Sequence, residues 1–326
     1  MTEILSAPLV RKTSLSQAER RRGNGASVSR SFACLSELPT TPAERVAALM
    51  CLASQVIAKS ATPVYLSLEG AAALYGWATL RVPDEICLVR PSREASRAVT
   101  RVGTDAAPRV TVRRYATELP PEAFTVVSDL PTLTPPYLIG ELLVHLPRER
   151  ALVAAESGIA HFLEADLRQR EATERRWEAL RGQLHDIIAA RESRRGRTRA
   201  LQRLRFLSPW SDSPGETLLR LRCSDTGLLP GVPQYPRGRY FIDLAWPDEG
   251  VAFEFDGAIK YEGARGRAAL VDEKAREDAL RMDFPRFFRW VWDDLYDTRI
   301  DDRIRACFPE NSAALFQGSI EHHRIR

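Results

Sequence analysis

The spacing of apolar and polar positions changes along the chain, and each change marks an element. From Thr41 the pattern reads as an amphipathic helix to residue 60, opened by Thr41-Pro-Ala-Glu44, a helix-start signature. A short helix is expected over residues 68–75. Period-two runs predict strands at 85–89 and 109–115; in the second, Val110 and Val112 alternate with Arg109, Thr111 and Arg113. Residues 124–128 form a third short run, and Thr134-Pro-Pro136 starts a helix through residue 146. Residues 148–205 are almost wholly helical in pattern, until Ser208-Pro-Trp-Ser-Asp-Ser-Pro214 breaks the chain. Beyond it the pattern predicts a helix (216–223), two strands (239–246 and 251–256) about a tight turn, and a loop with Gly257, Gly263 and Gly266. A charged helix (268–282), a strand (286–292) and a last helix (294–307) complete the expected order.

Helix, hairpin, helix, strand, helix describes an α/β layered domain, expected over residues 208–326 as a mixed sheet flanked by helices. A smaller α+β domain is expected over 41–147, joined to it by a helical, arginine-rich connector over 148–207. Residues 1–40 are rich in Ser and Arg, show little periodicity, and are expected to be mobile.

Composition narrows the class. At 44% hydrophobic and 28% charged, the 326 residues are ordinary for a globular protein and exclude a disordered or collagen-like chain. The longest apolar stretch, residues 46–58, carries Ser54 and Gln55 and is too short to span a bilayer, so no membrane partner is expected. The start, Met-Thr-Glu-Ile, lacks the basic and apolar regions of a signal peptide, and the expected compartment is the cytoplasm. Cys34, Cys51, Cys87, Cys223 and Cys307 are scattered, odd in number and form no CxxC pair, which argues against a disulfide framework or a structural zinc site. The net charge of +4 identifies no partner, but the segment 191–205 holds seven arginines against one acid, Glu192. Arg191, Arg194, Arg195, Arg197 and Arg199 are therefore candidates for phosphate contact; a solvated helix face is the alternative.

The chemistry concentrates in the hairpin. If Pro247-Asp-Glu-Gly250 forms a four-residue turn, Trp246 pairs with Val251, Leu244 with Phe253 and Ile242 with Phe255. These point to one side with Tyr240 and make an apolar face. On the other side Asp243 faces Glu254 with Cβ atoms about 5 Å apart, and Asp256 lies two residues further along. Like charges there repel unless a proton, a basic side chain or a metal lies between them. A hard ion such as Mg²⁺ takes oxygen ligands from one or two carboxylates and keeps waters, one of which can attack a phosphodiester. Asp243 and Glu254 are the candidate metal ligands, with Glu216 and Asp256 auxiliary. Lys260 is placed to orient the water, and Lys274 and Arg276 to meet phosphate. The alternatives at each position are a solvated sheet edge, a helix-terminus charge at Glu216, and internal salt bridges from Lys260 and Arg276.

Ser213-Pro-Gly-Glu-Thr-Leu-Leu-Arg220, Phe241-Ile-Asp-Leu-Ala-Trp-Pro247, Phe253-Glu-Phe-Asp-Gly257 with Lys260-Tyr261, Glu273-Lys-Ala-Arg-Glu-Asp278 and Arg289-Trp-Val-Trp292 form a recurrent set. Together they resemble a domain similar to the very-short-patch-repair endonucleases, of the PD-(D/E)xK or restriction-endonuclease-like superfamily. The resemblance covers residues 204–305. It implies a restriction-endonuclease-like fold, Mg²⁺-dependent hydrolysis of DNA, and metal-binding acids at Glu216, Asp243 and Glu254. The sequence departs from that pattern at Asp256, where the superfamily has its lysine; the nearest lysine is Lys260. Ser67-Leu-Glu-Gly-Ala-Ala-Ala-Leu-Tyr-Gly76 and Val126-Val-Ser128 resemble the middle of actinobacterial proteins grouped with AbiEi-type antitoxins of type IV toxin–antitoxin systems. Those usually begin with a winged helix-turn-helix, which residues 1–60 do not suggest. That likeness implies the alternative: a non-catalytic regulator binding nucleic acid or a toxin protein on a degenerate nuclease fold.

Overall fold

In a computed structural model of the chain, the described residues are 9–11, 26–27, 32–34, 41–92, 97–102, 110–257, 276 and 280–320. The architecture is α/β, with mixed sheets flanked by helices. Two compact units emerge, Met1–Gly158 with Glu178–Arg205, and Ile159–Trp177 with Phe206–Arg326. The segment expected as a separate connector is thus shared between the two units.

In the first unit, β1 (Leu9–Arg11), β2 (Ala26–Ser27) and β3 (Phe32–Cys34) pair in the order β1-β3-β2, within the stretch expected to lack fixed structure. Helix α1 (Pro42–Ala58) opens with a capping box: the Glu44 N–H donates to Thr41 Oγ1 (3.2 Å) and the Thr41 N–H to the Glu44 carboxylate (3.1 Å). Then come β4 (Tyr65–Ser67), α2 (Leu68–Leu74), β5 (Glu85–Pro91), β6 (Arg97–Val102), β7 (Val110–Thr117), β8 (Phe124–Val127) and β9 (Leu130–Leu133). They build a six-stranded sheet in the order β6-β7-β5-β4-β9-β8, parallel at β5/β7 and β4/β9. Three of these strands do not show in the periodicity. β4 and β9 are too short to display a period, and β6 is an exposed edge carrying Arg97 and Arg101. Helices α3 (Pro135–His145), α4 (Arg148–Phe162), α5 (Arg170–Ala189) and α6 (Arg197–Phe206) follow, the end of α4 and the start of α5 belonging to the second unit. Leu66, Ile86, Leu88, Leu138 and Leu142 are fully buried at the centre of this unit.

The inward arginines of this unit overturn part of the phosphate-contact expectation. Arg191 forms an ion pair with the buried Glu141. Arg199 donates to the Val144 carbonyl (2.7 Å), and the fully buried Arg203 to those of Leu143 and Leu146 (2.7 and 2.9 Å). These carbonyls close α3, where cations satisfy otherwise orphaned acceptors and meet the negative end of the helix dipole. Arg197 donates to the carbonyls of Ala189 and Arg191 (3.3 Å each). Only Arg194 and Arg195, of the five candidates, are exposed. Charge density alone cannot separate a helix-closing arginine from a solvated one.

The second unit follows the expected order where its residues are described; most of the expected charged helix over 268–282, and the loop positions Gly263 and Gly266, lie outside them. Helix α7 (Pro214–Asp225) precedes β10 (Val232–Arg237), β11 (Tyr240–Trp246), β12 (Val251–Phe255) and β13 (Arg286–Trp290). The sheet order is β10-β11-β12-β13, antiparallel except for the parallel β12/β13 pair. The hairpin register is the expected one near the turn, where Trp246 pairs with Val251, Ala245 with Ala252 and Leu244 with Phe253; the ladder ends there, so the expected Asp243–Glu254 and Ile242–Phe255 pairs are not formed, and the Phe255 N–H bonds to the Asp243 side chain instead. Gly250 closes the turn in the left-handed region (φ 62), where glycine avoids a Cβ penalty. Strand β10 escapes the period analysis because Pro233 and Pro236 interrupt it, which suits an edge position. The single last helix is observed as two, α8 (Trp292–Leu295) and α9 (Ile300–Ala306).

Both faces of this sheet are covered, which changes the expected division into an apolar and an acidic side. Phe253 packs against Trp246, Phe288, Trp290 and Phe308. Ile242, expected beside Leu244, instead packs with Ala245, Ala252, Leu280, Phe284 and Phe287. Among the described residues no helix is long and apolar enough to cross a membrane.

Candidate functional site

The first turn of α7 is built to present one carboxylate. Ser213 caps the helix: its hydroxyl accepts the Glu216 N–H (3.2 Å) and donates to Glu216 Oε1 (2.8 Å). The Asp212 N–H donates to Glu216 Oε2 (3.0 Å), and Pro214 sets the entry to the helix. Gly215 lets this turn lie against β12, because a Cβ there would fall 1.9 Å from the Phe255 ring. Glu216 is thereby held at 8% exposure.

Asp243 comes from the middle of β11. Its Oδ2 accepts the N–H of Phe255 (2.8 Å), so its carboxylate takes over a backbone donor just past the last ladder pair, Leu244–Phe253. Gln234 lies across from it on β10, between the Pro233–Leu244 and Tyr235–Ile242 pairs. The Gln234 carboxamide donates to Glu216 Oε2 (2.9 Å) and reaches Asp243 Oδ1 (3.5 Å), tying the two acids together.

Gln234 is buried and its backbone is left-handed (φ 47), a conformation costing a non-glycine residue about 1–2 kcal/mol. Arg170 fixes that backbone, donating to the carbonyls of Gln234 and Pro233 (2.8 and 2.9 Å) while stacking on Trp210. Neither Gln234 nor Arg170 stands out in the sequence. The usable signal is positional: once the hairpin register is known, a glutamine on the adjoining strand is the polar group opposite Asp243.

Burial pushes both acids up, and their mutual proximity adds to it. Glu216 rises to about 7, burial first and the Asp243 charge second, against the pull of its hydrogen bonds. Asp243 rises to about 6, burial first, the Phe255 N–H drawing it back, and Glu254 raising it again. Glu254, 7% exposed, has a different partner: Arg276 forms an ion pair with it, donates to the Phe241 carbonyl (3.2 Å) and lies over the Tyr240 ring.

The expected set is therefore gathered in part. Glu216, Asp243 and Glu254 come from three adjacent elements, and the anticipated basic partner of Glu254 is Arg276. The Asp256 N–H extends the β12/β13 pairing by donating to the Trp290 carbonyl (2.7 Å). Lys260 and Lys274 lie outside the described residues.

The carboxylate oxygens suit a hard cation, and Mg²⁺ needs only one or two protein carboxylates beside its waters. Among the described residues, no group of three or more His, Cys, Asp or Glu is arranged to hold a metal by itself. A Mg²⁺ ion on Asp243 with one neighbouring acid and several waters is the arrangement that fits. No family model, curated protein or solved structure matches the chain.

Proposed function

We propose that the second unit is a restriction-endonuclease-like domain that hydrolyses phosphodiester bonds of DNA with Mg²⁺. One observation carries the reading. Two acids, Glu216 and Asp243, are kept buried and adjacent by the Gln234 carboxamide, at the expense of a left-handed backbone. Strain and uncompensated anionic charge held in place together favour a site over a structural contact.

Asp243 and Glu254 would hold the ion. When bound, Mg²⁺ supplies charge for the phosphoryl oxygens and acidifies a coordinated water. The Phe255 N–H fixes the orientation of Asp243. Glu216, with its pKa near 7, is matched to exchanging a proton with water at neutral pH. Arg276 balances Glu254, its guanidinium donating to that carboxylate and to the Phe241 carbonyl rather than standing open as a phosphate fork. The exposed Arg194 and Arg195 supply sequence-independent phosphate contact in the first unit.

The Arg276–Glu254 ion pair favours a second reading. An acid already neutralised internally suits a non-catalytic module, an antitoxin-like regulator that binds DNA or a toxin protein. Nicking of supercoiled DNA across a Mg²⁺ titration separates the two. The enzyme reading expects Mg²⁺-dependent nicking, absent in EDTA and abolished by Asp243→Ala and by Glu254→Ala. DNA binding that is equal with and without EDTA, with no cutting at any Mg²⁺ level, supports the module instead.

A further inference from the structure

We propose that the outer edge of the six-stranded sheet in the first unit is a docking site for an extended acidic segment of another protein, added as a further strand beside β6. Strand β6 ends the sheet order, with β7 as its one neighbouring strand among the described residues. Its six residues pair with β7 without a bulge, from Arg97–Tyr115 to Val102–Val110. In an antiparallel pair of this kind, every second residue of the outer strand turns both its N–H and its C=O away from its neighbour. Those groups are a template for one more strand.

The backbone of β6 does nothing to blunt that template. β10, an edge strand of the second unit, is interrupted by Pro233 and Pro236, whereas β6 has neither a proline nor a bulge. Arg97, Ala98, Val99, Thr100 and Arg101 are all exposed, so both faces of the strand are open. What selects a partner is charge. Arg97 and Arg101 lie on one face of β6 with Val99, 59% exposed, between them. On that same face Val99 pairs with Arg113 of β7, whose charge is answered by Glu85 at 2.5 Å. Arg97 and Arg101 have no such acid among the described residues.

The open face therefore reads basic, apolar, basic at every second residue. A second copy of this chain is a poor occupant, because β6 offers only more arginines and no acid to set against them. A strand with acids opposite Arg97 and Arg101 and an apolar residue opposite Val99 answers all three positions. Directly opposed side chains stand about 5 Å apart, and opposite charges there stabilise the pairing. The pattern reads the same in both directions, so it accepts a parallel or an antiparallel strand. Main-chain hydrogen bonds supply affinity in such strand addition, and the alternating side chains supply specificity. The edge lies wholly in the first unit and does not depend on the proposed phosphodiesterase centre.

Fluorescence anisotropy of labelled probes added to the full chain at low salt tests this. The probes are a short peptide alternating glutamate with valine, the same peptide with every backbone nitrogen methylated, a peptide alternating lysine with valine, and a single-stranded oligonucleotide. The glutamate peptide is expected to bind saturably. Its methylated form keeps the charge but cannot pair, and is expected to bind at least about tenfold more weakly, through the loss of several backbone hydrogen bonds. Arg97→Glu with Arg101→Glu is expected to reverse the preference toward the lysine peptide, each opposed charge pair being worth up to about fivefold. The proposal is overturned if the glutamate peptide does not bind, or if its methylated form binds equally well. It is also overturned if only the oligonucleotide binds and the charge reversal abolishes that binding, which makes the edge a nucleic-acid contact. The methylation comparison uses the wild-type chain, so a misfolded variant leaves the test intact.

Discussion

Glu141 in the first unit and Glu216 in the second are both buried acids, and they end in opposite states. At Glu141 burial pushes the carboxyl up, but the His145 hydrogen bond and the Arg191 charge outweigh it and bring the pKa to about 2. At Glu216 burial is reinforced by Asp243, and the hydrogen bonds around it do not offset the two, leaving it at about 7. The difference lies in what the chain brings to each acid. Glu141 meets a guanidinium carried by the end of α5, whereas Glu216 meets another carboxylate and a neutral carboxamide. A buried acid with its own cation closes a structural network. A buried pair of acids tied by a neutral group retains a demand for positive charge.

The comparison breaks most visibly at Arg191. Arg191→Ala strands an ionised Glu141 in the core and is expected to cost about 3–5 kcal/mol in urea unfolding. Next comes the packing that seats Glu216. Gly215→Ala drives a methyl into the Phe255 ring and is expected to cost about 1–3 kcal/mol, with loss of any Mg²⁺-dependent nicking.

The third prediction is one of sign. Glu216 and Asp243 have raised folded-state pKa values, about 7 and about 6 against ordinary values of 4.5 and 3.8. Their contribution to stability is fully present below about pH 4 and is lost as pH rises to about 7. Asp243→Asn removes the repulsion, so it is expected to raise stability by about 1–2 kcal/mol at pH 8 and to change little at pH 4. Glu141 behaves inversely: its contribution is present above about pH 4.5 and lost as pH falls toward 2. Thermal unfolding scans across pH read both windows.

The smallest stability effect is expected at Gln234. Gln234→Gly relieves the left-handed backbone while losing the carboxamide bridge, so the net change stays within about 1 kcal/mol. Nicking is nevertheless expected to fall roughly 100-fold, because the two acids are no longer held in register.

The hairpin was legible in the sequence because its turn residues and alternation fix a register, and the observed pairs Trp246–Val251 and Leu244–Phe253 follow it. Glu216 was legible as a helix-opening acid. What periodicity could not show was the irregularity at Asp243 and Gln234. A side chain that accepts a backbone N–H of the neighbouring strand, and a residue in the left-handed region, do not obey the two-residue repeat. Ile242, next to Asp243, packs with Ala245 and Ala252 rather than beside Leu244. The arginine-rich segment misled in another way. Composition registers charge but not direction, and Arg191, Arg199 and Arg203 turn inward onto Glu141 and the end of α3.

The proposed Mg²⁺ site at Asp243 and Glu254 is most directly tested by calorimetric titration of Mg²⁺ at pH 8 into the wild-type chain and Asp243→Asn. The account predicts saturable binding to the wild type that disappears in the variant and weakens toward pH 5, as protons take the place of the metal. Equal Mg²⁺ binding by both proteins, or none by a folded wild type, would contradict it.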